Sequence, residues 1–277
     1  MADKIFFKYN DENYYIHHTE SVHTQVDSFS FKSHSHNMCE IYYFLNGSAD
    51  FAVEGRIYEL KRGTLILTDR GQTHNTLLKP SSEPYERIAI LFSSNQISKD
   101  FLPIFEEASR GKNCYFLNEK EQIWFEECIN TLKNSKNCKT DSDKIIFATI
   151  SSIIAKLDTL LTISPEIDND ENDIVRDIVK FVNRNIENEW TLETLEKSLF
   201  RDRAYLNRKF KSVMGCGIWE YNLRKRIFSA QQRLYLSKSV NEAFITSGFK
   251  DYSSFFRGYK KYIGVSPSDD LKRFSSK

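Results

Sequence analysis

The chain has 277 residues, of which 40% are hydrophobic and 28% are charged. This composition is typical of folded globular proteins and excludes a disordered chain. No apolar run approaches the roughly 18 residues that a membrane-spanning helix needs, and the N-terminal residues do not resemble a secretory signal, so we expect a cytoplasmic protein without membrane contact. The five cysteines are odd in number and form no CxxC pair, which argues against a disulfide framework or a cysteine zinc site.

The net charge of +1 conceals an uneven distribution along the chain. Residues 1–172 contain 18 Lys and Arg against 26 Asp and Glu, a net charge of −8. Residues 173–277 contain 21 against 12, a net charge of +9. A basic C-terminal part favours a polyanionic partner, whereas the acidic N-terminal part does not. We therefore expect two domains with different functions.

Short strands are predicted between about residues 5 and 93. Aromatic and β-branched runs at 40–45, 49–53, 56–60 and 64–68 are separated by turns that each contain a glycine. Such closely spaced turns are typical of a hairpin-rich antiparallel barrel or sandwich. We assign residues 1–118 to this β-domain.

Helical periodicity replaces the strand pattern from residue 119. The predicted helices are 119–134 and 141–163, and the second has an apolar stripe formed by Ile145, Ile146, Thr149, Ile153, Leu157 and Leu160. This helical pair, residues 119–163, either packs against the β-domain or forms a dimer surface. Residues 164–172 are polar, acidic and aperiodic, and are the predicted linker. Residues 173–277 are predicted to form an all-α domain.

One helical pattern occurs twice in the last hundred residues, 49 residues apart. The first copy, YLNRKFK, starts at Tyr205 and is followed by Gly215, and the second, SFFRGYK, starts at Ser254 and is followed by Gly264. Each copy carries basic residues on the face opposite its apolar stripe. A duplicated helical unit with a basic face predicts two recognition helices that read one DNA duplex.

The first copy has a polar face suited to the major groove. In a helix over 203–213, at about 100° per residue, the apolar side chains lie on one side. The buried face is predicted to contain Leu206, Phe210 and Val213, and the open face Arg203, Ala204, Asn207, Arg208 and Lys211. Arg pairs with guanine, Asn with adenine, and Lys neutralises phosphate. Helix 192–199, behind the N-cap Thr191, completes a helix-turn-helix unit.

A solvated basic face on an ordinary helical bundle is the alternative interpretation of this pattern. One basic helix would not decide between the two. Two copies at matched spacing within a part of the chain whose net charge is +9 favour DNA binding.

Two longer motifs in this domain are more specific. One is Tyr221-x4-Arg226-Ile227-x2-Ala230-x3-Leu234, and the other runs from Gly248 to Pro267 as GF-x5-F-x-R-x-YKKY-x-GVSP. With them, residues 174–267 resemble the DNA-binding domain of AraC/XylS-type (arabinose-regulator-type) transcriptional regulators. The resemblance implies two helix-turn-helix units in adjacent major grooves of promoter DNA.

Further site and partner expectations follow from this resemblance. By residue match, the DNA-contacting positions are Arg203, Asn207, Arg208 and Lys211 in the first unit and Tyr252, Ser253, Arg257 and Lys260 in the second. We expect the first unit to contact more of the DNA bases and the second unit to contact more of the DNA sugar-phosphate backbone. The resemblance also implies a homodimer formed by the helical pair, and RNA polymerase as a partner.

Three histidines and a glutamate form a second constellation, in the β-domain. On a strand, His34 and His36 face the same way and Glu40 keeps their parity, while a paired strand can bring His74 alongside. Three imidazoles and a carboxylate suit Mn, Fe, Ni, Cu or Zn. The segment 34–47 and the pattern Gly-x7-Gly-x2-His that ends at His74 resemble the two cupin motifs, whose matching positions bind metal in cupin metalloenzymes.

Three interpretations of this constellation remain open. AraC-type regulators with a cupin-like domain hold an effector there, which implies a pocket formed by His34, His36, Glu40, His74 and the nearby aromatic Tyr42. The same histidines and glutamate could instead bind a divalent metal, although no cofactor is required for a sensor. Lastly, strand hydrogen bonds could satisfy the histidines without any further function.

Together these observations predict an α+β multidomain protein with a cupin-like antiparallel β-barrel, a helical pair, and a C-terminal all-α domain with two helix-turn-helix units. The predicted function is sequence-specific DNA-binding transcriptional regulation, with a small-molecule effector sensed by the barrel and no enzyme activity. A metal-dependent cupin enzyme fused to a nucleic-acid-binding domain is one alternative. A constitutive architectural protein whose barrel only dimerises is another. Abundant Asn, Lys and Ile favour a bacterial source.

Overall fold

A computed structural model describes residues 4–25, 33–135, 142–159 and 170–275. The strands in these ranges are β1 Lys4–Asn10, β2 Tyr14–Ser21, β3 Cys39–Asn46, β4 Ala49–Val53, β5 Arg56–Glu59, β6 Thr64–Thr68, β7 His74–Leu78, β8 Tyr85–Phe92 and β9 Cys114–Phe116. The helices are α1 Leu102–Ser109, α2 Glu119–Ser135, α3 Ser142–Leu157, α4 Asp170–Arg184, α5 Leu192–Leu199, α6 Arg203–Met214, α7 Ile218–Ser237, α8 Val240–Ile245, α9 Tyr252–Ile263 and α10 Pro267–Ser275. Within these ranges, no helix is both long and apolar enough to span a bilayer.

The strands form two antiparallel sheets, which confirms the predicted antiparallel β-domain. One sheet has the strand order β1-β2-β8-β3-β6-β9 and the other the order β5-β4-β7. The sheets pack against each other, as the Tyr42 and Phe51 rings show with centroids 4.7 Å apart. In the β4–β5 hairpin, Glu54 and Gly55 both have positive φ, 49° and 80°, as a two-residue type I′ turn requires. This turn is important for the contact between the domains described below.

Strand β3 is buried on both faces. Ile41 and Tyr43 point to a core shared with α2 and α3, where the Tyr43 ring lies 4.4 Å from that of Phe125. Tyr42 and Phe44 point to the second core, between the sheets. Because both faces of the strand are buried, its sequence is a continuous apolar run and does not alternate with polar residues. Burial of each side chain of this size stabilises the fold by about 1.5–3 kcal/mol. Glu40 shares the strand face of Tyr42, which places its carboxylate on the side of the smaller sheet.

The predicted helical pair packs on the larger sheet, and its second helix, α3, is shorter than predicted. Its buried residues belong to the same core as the outer face of β3. Helix α3 ends at Leu157, and residues 158–159 form a turn in which the Thr159 hydroxyl donates to the Lys156 carbonyl. The Thr159 amide donates to the same carbonyl, three residues back instead of four, so the α-helical bonding ends here, and residues 160–163 lie outside the described ranges. Two apolar side chains of the pair, Ile123 and Phe147, are exposed.

The C-terminal domain begins earlier than predicted. Helix α4 starts at Asp170, so residues 170–172, assigned from the sequence to the linker, are helical. Residues 164–172 show no apolar period in the sequence, and such a pattern does not distinguish a linker from the first turn of a helix. Residues 164–169 of the predicted linker lie outside the described ranges.

The long helix α7 joins two small helical units. Its first half contributes Ile218 and Tyr221 to a core with α4, α5 and α6, and its second half contributes Ile227 and Leu234 to a core with α8, α9 and α10. Local signals set the ends of these helices. The Thr191 side chain caps α5, while α6 and α9 end at Gly215 and Gly264 with positive φ.

Candidate functional site

The first recognition helix, α6, exposes most of the side chains predicted to contact DNA. Leu206, Phe210 and Met214 are buried, whereas Val213 is only half-buried, so the apolar stripe ends one residue later than predicted. The side chains of Arg203, Arg208 and Lys211 are exposed on the opposite face. Asp202 begins the helix by accepting hydrogen bonds from the amides of its first turn. A rigid helix therefore presents three cations to solvent.

Asn207 lies apart from this exposed face. It is half-buried, and its side-chain oxygen accepts a hydrogen bond of 3.1 Å from the Ile218 amide. Helix α7 has Gly217 as its N-cap, and Gly217 has no side chain to satisfy the first amides. Asn207 thus caps a neighbouring helix, and this geometry favours a structural role over the predicted contact with adenine.

The second recognition helix, α9, repeats the arrangement. Phe255, Gly258 and Tyr259 are buried, and the four predicted DNA-contacting residues Tyr252, Ser253, Arg257 and Lys260 are exposed. A Cβ at Gly258 would lie 3.2 Å from the Ile227 side chain, so glycine lets α9 approach α7 closely. Together with α6, α9 gives the domain two exposed faces with cationic side chains, whose contact with DNA stays a prediction.

The three predicted histidines converge in the β-domain. His34 and His74 pair through two backbone hydrogen bonds of 3.0 Å, which place their rings 4.5 Å apart. The ring of His36 lies 5.0 Å from that of His74. One nitrogen from each of the three side chains lies within 4.8 Å of the other two. The predicted pairing with His74 is a single bridge at His34, and residues 35–38 do not form the predicted strand, so the bridge and the irregular segment after it bring the three imidazoles together.

The hydrogen-bond pattern orients two of these imidazoles. His36 Nδ1 lies 2.9 Å from the Met38 carbonyl oxygen, and His74 Nδ1 lies 2.9 Å from the Gln72 carbonyl oxygen. A carbonyl oxygen only accepts, so both Nδ1 atoms carry hydrogen, and their Nε2 atoms are left to face Glu40. The His36 Nε2 atom is 3.3 Å from Glu40 Oε2. His74 Nε2 is 3.0 Å from the same oxygen, without the alignment of a hydrogen bond.

Protonation in this cluster follows from burial and mutual charge. Burial alone would raise the pKa of Glu40, but the imidazoles of His74 and His36 outweigh it and hold that pKa well below its usual range. Burial would lower the pKa of His74, and the Glu40 carboxylate reverses this and raises it. The Glu40 carboxylate is therefore ionised. A proton or a metal cation between its oxygen and the facing Nε2 atoms of His36 and His74 would balance its charge.

These residues fit a divalent cation. The Nδ1–H to carbonyl bonds are the contacts that metal-binding histidines commonly make with their second nitrogen. Moreover, the buried His74 Nε2 has no hydrogen-bond partner among the described residues. His34, His36, Glu40 and His74 would hold the ion, which is a set that suits first-row transition metals.

Tyr42, the remaining predicted pocket residue, lies in the core between the sheets. It is buried, and its hydroxyl forms a 2.7 Å hydrogen bond with the hydroxyl of Tyr85, which also contacts Thr76 at 3.2 Å. The Tyr42 ring packs on Phe51. Its polar atom is thus satisfied within the protein, and its role in an effector pocket stays a prediction.

One contact that the sequence did not reveal joins the two domains. Glu54, in the β4–β5 turn, is buried, and one of its oxygens accepts a 2.6 Å hydrogen bond from the Thr73 amide. The other accepts the hydroxyl hydrogen of Tyr221 on α7 and lies 3.4 Å from Lys225 Nζ. Burial, followed by the charge of Glu54, raises the pKa of Tyr221 well above its ordinary value, so its hydroxyl remains a donor. From the sequence, Glu54 was only a turn residue.

The loops that hold the histidines also touch α7. Arg224 donates a 3.1 Å hydrogen bond to the carbonyl of Ser33, the residue before His34. Gly71, whose amide donates to the His36 carbonyl, has φ of +74°, and a Cβ there would lie 2.8 Å from the Cβ of Phe228. The histidine cluster and the DNA-binding domain are therefore linked through short, tightly packed segments.

Comparison with known proteins identifies both domains by sequence. Residues 195–273 match the family described as a helix-turn-helix domain, and residues 21–90 match the family described as a cupin domain. The first region contains α6 and α9, and the second contains the histidine cluster and Glu54.

Relatives of similar length are regulators of transcription. The lactose operon transcription activator of Staphylococcus xylosus is 24% identical over 83% of this chain and 82% of its own. The Msm operon regulatory protein of Streptococcus mutans is 21% identical over 85% of this chain and 84% of its own. Among solved structures, ToxT from Vibrio cholerae aligns over 96% of this chain and 100% of its own, with 17% identity and a TM-score of 0.39.

Proposed function

We propose that this chain, a DNA-binding transcriptional regulator of the AraC type with an N-terminal cupin domain, contacts duplex DNA through the exposed faces of α6 and α9. The observation that carries the proposal is the repeated arrangement of an apolar stripe buried in the domain and cations exposed on the opposite face. The net charge of +9 after residue 172 provides the attraction to a polyanion.

Within this interface we assign different roles to the two helices. Arg203, Arg208 and Lys211 of α6 are exposed and can enter a major groove, with the Arg208 guanidinium 5.8 Å from the centre of the Tyr205 ring. On α9, Arg257 shares a hydrogen bond with Ser254, and Tyr252 lies against the rings of Phe244 and Phe255. These contacts limit the freedom of the side chains on the exposed face of α9. This supports a role in which α9 contacts mainly the sugar-phosphate backbone of the DNA.

Alanine substitution of Arg208 and Arg257 tests the interface. A duplex selected from a random library by the wild-type protein serves as the probe in a mobility-shift titration. Each substitution should weaken binding by about 1–3 kcal/mol if the arginine contacts a base, and by less if it contacts phosphate. Affinity should also fall steeply with salt. Arg110→Ala, which alters an exposed arginine of the β-domain, is the matched control. Wild-type affinity in both variants would contradict the interface.

We further propose that the histidine cluster binds the effector. The carboxylate of Glu40 and the imidazoles of His36 and His74 offer charge and hydrogen bonds to a small polar molecule, and Ser33 and Gly71 connect the cluster to α7. A bound effector would shift these loops and so alter the placement of the DNA-binding domain. Thermal unfolding with candidate effectors, compared between wild type and His36→Gln, tests this role.

A divalent metal is an optional component of this site. When bound to His34, His36, Glu40 and His74, it would supply a Lewis-acid centre to which an oxygen-bearing effector could attach. The similarity to transcriptional regulators supports a sensor rather than an enzyme. Metal analysis of the purified protein, before and after chelation, measures whether the ion is present in stoichiometric amount.

A homodimer formed by α2 and α3 completes the proposal. Ile123 and Phe147 are large apolar side chains that remain exposed on this helical pair, and a second copy of the chain would cover them. Dimerisation doubles the number of DNA contacts. Contact with RNA polymerase and a cytoplasmic location accompany this function.

A further inference from the structure

A cavity of about 440 Å³ lies between the two helix-turn-helix units. Its walls come from the segment between α4 and α5, the first half of α7, and the start of α9. The residues that matter for its chemistry are Trp190, Trp219, Asn222, Arg226, Arg257 and Lys261. Cavities of about 300–1,000 Å³ are typical of small-molecule sites.

Two tryptophans give the cavity an aromatic wall. The rings of Trp190 and Trp219 meet edge to face, with centroids 5.4 Å apart. Trp190 is buried, whereas about half of the Trp219 surface is open to solvent, at 51%. An exposed tryptophan beside a buried one forms a surface on which a planar ligand can stack.

Three buried polar atoms in the wall lack partners. Trp190 Nε1, Asn222 Oδ1 and Arg226 Nε are shielded from solvent and make no hydrogen bond to any residue that the structure describes. Asn222 and Trp190 are 1% and 6% exposed. Leaving such a group unpaired costs about 1–3 kcal/mol, so a ligand that reaches these atoms with an acceptor and a donor would be stabilised. The indole and guanidinium require an acceptor, and the amide oxygen requires a donor.

The electrostatics of the lining favour an anion. Four cationic and two carboxylate side chains leave a net charge of +2. One carboxylate, Glu189, pairs with Lys250 at 3.1 Å, and the other, Asp251, caps α9 through the Ser254 amide. Among the described residues, Arg226 donates hydrogen bonds to the neutral carbonyls of Gly248 and Asn188, and the Glu189 carboxylate that interacts with its charge is itself paired with Lys250.

We propose that this cavity binds a small planar aromatic anion that also carries a hydroxyl group. Its ring would stack on the exposed Trp219, which meets Trp190 edge to face. Its carboxylate would pair with Lys261 and accept from the Trp190 indole and the Arg226 guanidinium, and its hydroxyl would donate to Asn222. A DNA phosphate matches only the charge, because it carries no ring to stack on the exposed Trp219. The site is separate from the histidine cluster of the β-domain.

Occupancy would affect the geometry of the two recognition helices. Arg226 joins the segment before α5 to the segment before α9 through its two carbonyl bonds, and Arg257 lies both in the cavity wall and on the proposed DNA face. A ligand that draws these guanidinium groups inward would change the spacing of α6 and α9. This consequence rests on the proposed DNA-binding function, whereas the ligand site does not.

Calorimetric titration of the full chain with 6-hydroxy-2-naphthoate tests the site in the absence of DNA. We expect saturable one-to-one binding of the naphthoate. The neutral isostere 6-hydroxy-2-naphthamide should have a dissociation constant at least about tenfold higher. Trp219→Ala and Lys261→Met should each weaken naphthoate binding by about fivefold or more. Lys272→Met, an exposed lysine on α10, is the matched control and should bind as wild type does. Circular dichroism checks that each variant is folded.

Three results would overturn the site: no binding to the wild type, equal binding of the amide, or unchanged binding in both folded cavity variants. A second titration, of the selected duplex with and without naphthoate, tests the effect on DNA. A shifted dissociation constant supports the coupling, and an unchanged one overturns it. Failure of the wild type to bind any duplex would count against the proposed function and would leave the calorimetric result intact.

Discussion

Substitution of Glu54 by Gln should weaken the contact between the β-domain and the DNA-binding domain. The carboxylate accepts hydrogen bonds from the Thr73 amide and the Tyr221 hydroxyl and lies 3.4 Å from Lys225 Nζ. The Glu54 and Lys225 side chains are both largely buried, so solvent screens this ion pair only weakly. Glutamine keeps the shape and one acceptor but removes the charge.

The expected magnitude follows from these three interactions. Hydrogen bonds to a charged group contribute about 1.5–3 kcal/mol each and neutral ones about 0.5–1.5 kcal/mol, so neutralising Glu54 costs about 2–3 kcal/mol over its two hydrogen bonds. Leaving Lys225 partly buried without its counter-charge adds to this cost, which brings the total to about 3–4 kcal/mol.

Urea unfolding of the full chain, followed by tryptophan fluorescence, measures this loss. Trp124 reports on the helical pair, while Trp190 and Trp219 report on the C-terminal domain, so a Trp124→Phe background isolates the second signal. Glu59→Gln, an exposed glutamate in the next strand that pairs with Lys61, is the matched control and should change nothing measurable.

A double-mutant cycle with Tyr221→Phe distinguishes a direct interaction from a general loss of stability. Phenylalanine keeps the packing of the ring against Phe210 and removes only the donor. If the hydroxyl and the carboxylate interact directly, the effects of the two substitutions should be non-additive by about 1–2 kcal/mol. Additive effects, or a Glu54→Gln protein as stable as the wild type, would refute this account of the domain contact.

Three further predictions concern the other sites. Asn207→Ala should destabilise the C-terminal domain by about 0.5–2 kcal/mol, because it removes the cap of α7, and chemical denaturation would measure this; a stable variant with impaired DNA binding would instead indicate a base contact. Adding Zn²⁺ or Ni²⁺ at about 100 times its Kd should stabilise the wild type by about 2.7 kcal/mol and His36→Gln by much less, as thermal unfolding would report; equal shifts would argue against the histidine site. Ile123→Glu combined with Phe147→Glu should convert a dimer to a monomer in sedimentation velocity, and an unchanged dimer would place the interface elsewhere.

Much of the DNA-binding domain could be predicted from its sequence. The apolar stripe of α6 was predicted at Leu206 and Phe210, and both are buried. Helix α5 has the predicted bounds, and Gly215 and Gly264 end their helices with positive φ, as glycine at such positions indicates. Periodicity and capping depend on residues a few positions apart, so a linear sequence records them.

The convergence of the histidines was predicted, but the strand that was expected to produce it is absent. Residues two apart on a strand share a face, which is why His34 and His36 were expected to point together, whereas residues 35–38 form no strand and only the bridge between His34 and His74 has strand pairing. The hydrogen bonds that orient the rings could not be predicted, because they depend on the path of the backbone at Met38 and Gln72.

What the sequence by itself determined is therefore local: the antiparallel strands with their glycine turns, the helices with their caps, and the repeated basic faces of the C-terminal domain. The tertiary structure alone decided how distant residues use their polar groups. The Glu54 carboxylate accepts a hydrogen bond from Tyr221, which lies 167 positions later in the sequence. The Asn207 side chain accepts a hydrogen bond from the first turn of the next helix, α7, although it was predicted to lie on the basic face of α6. In both cases a polar group that is at least half-buried takes a partner that only the tertiary fold brings within reach, because leaving such a group unpaired costs about 1–3 kcal/mol.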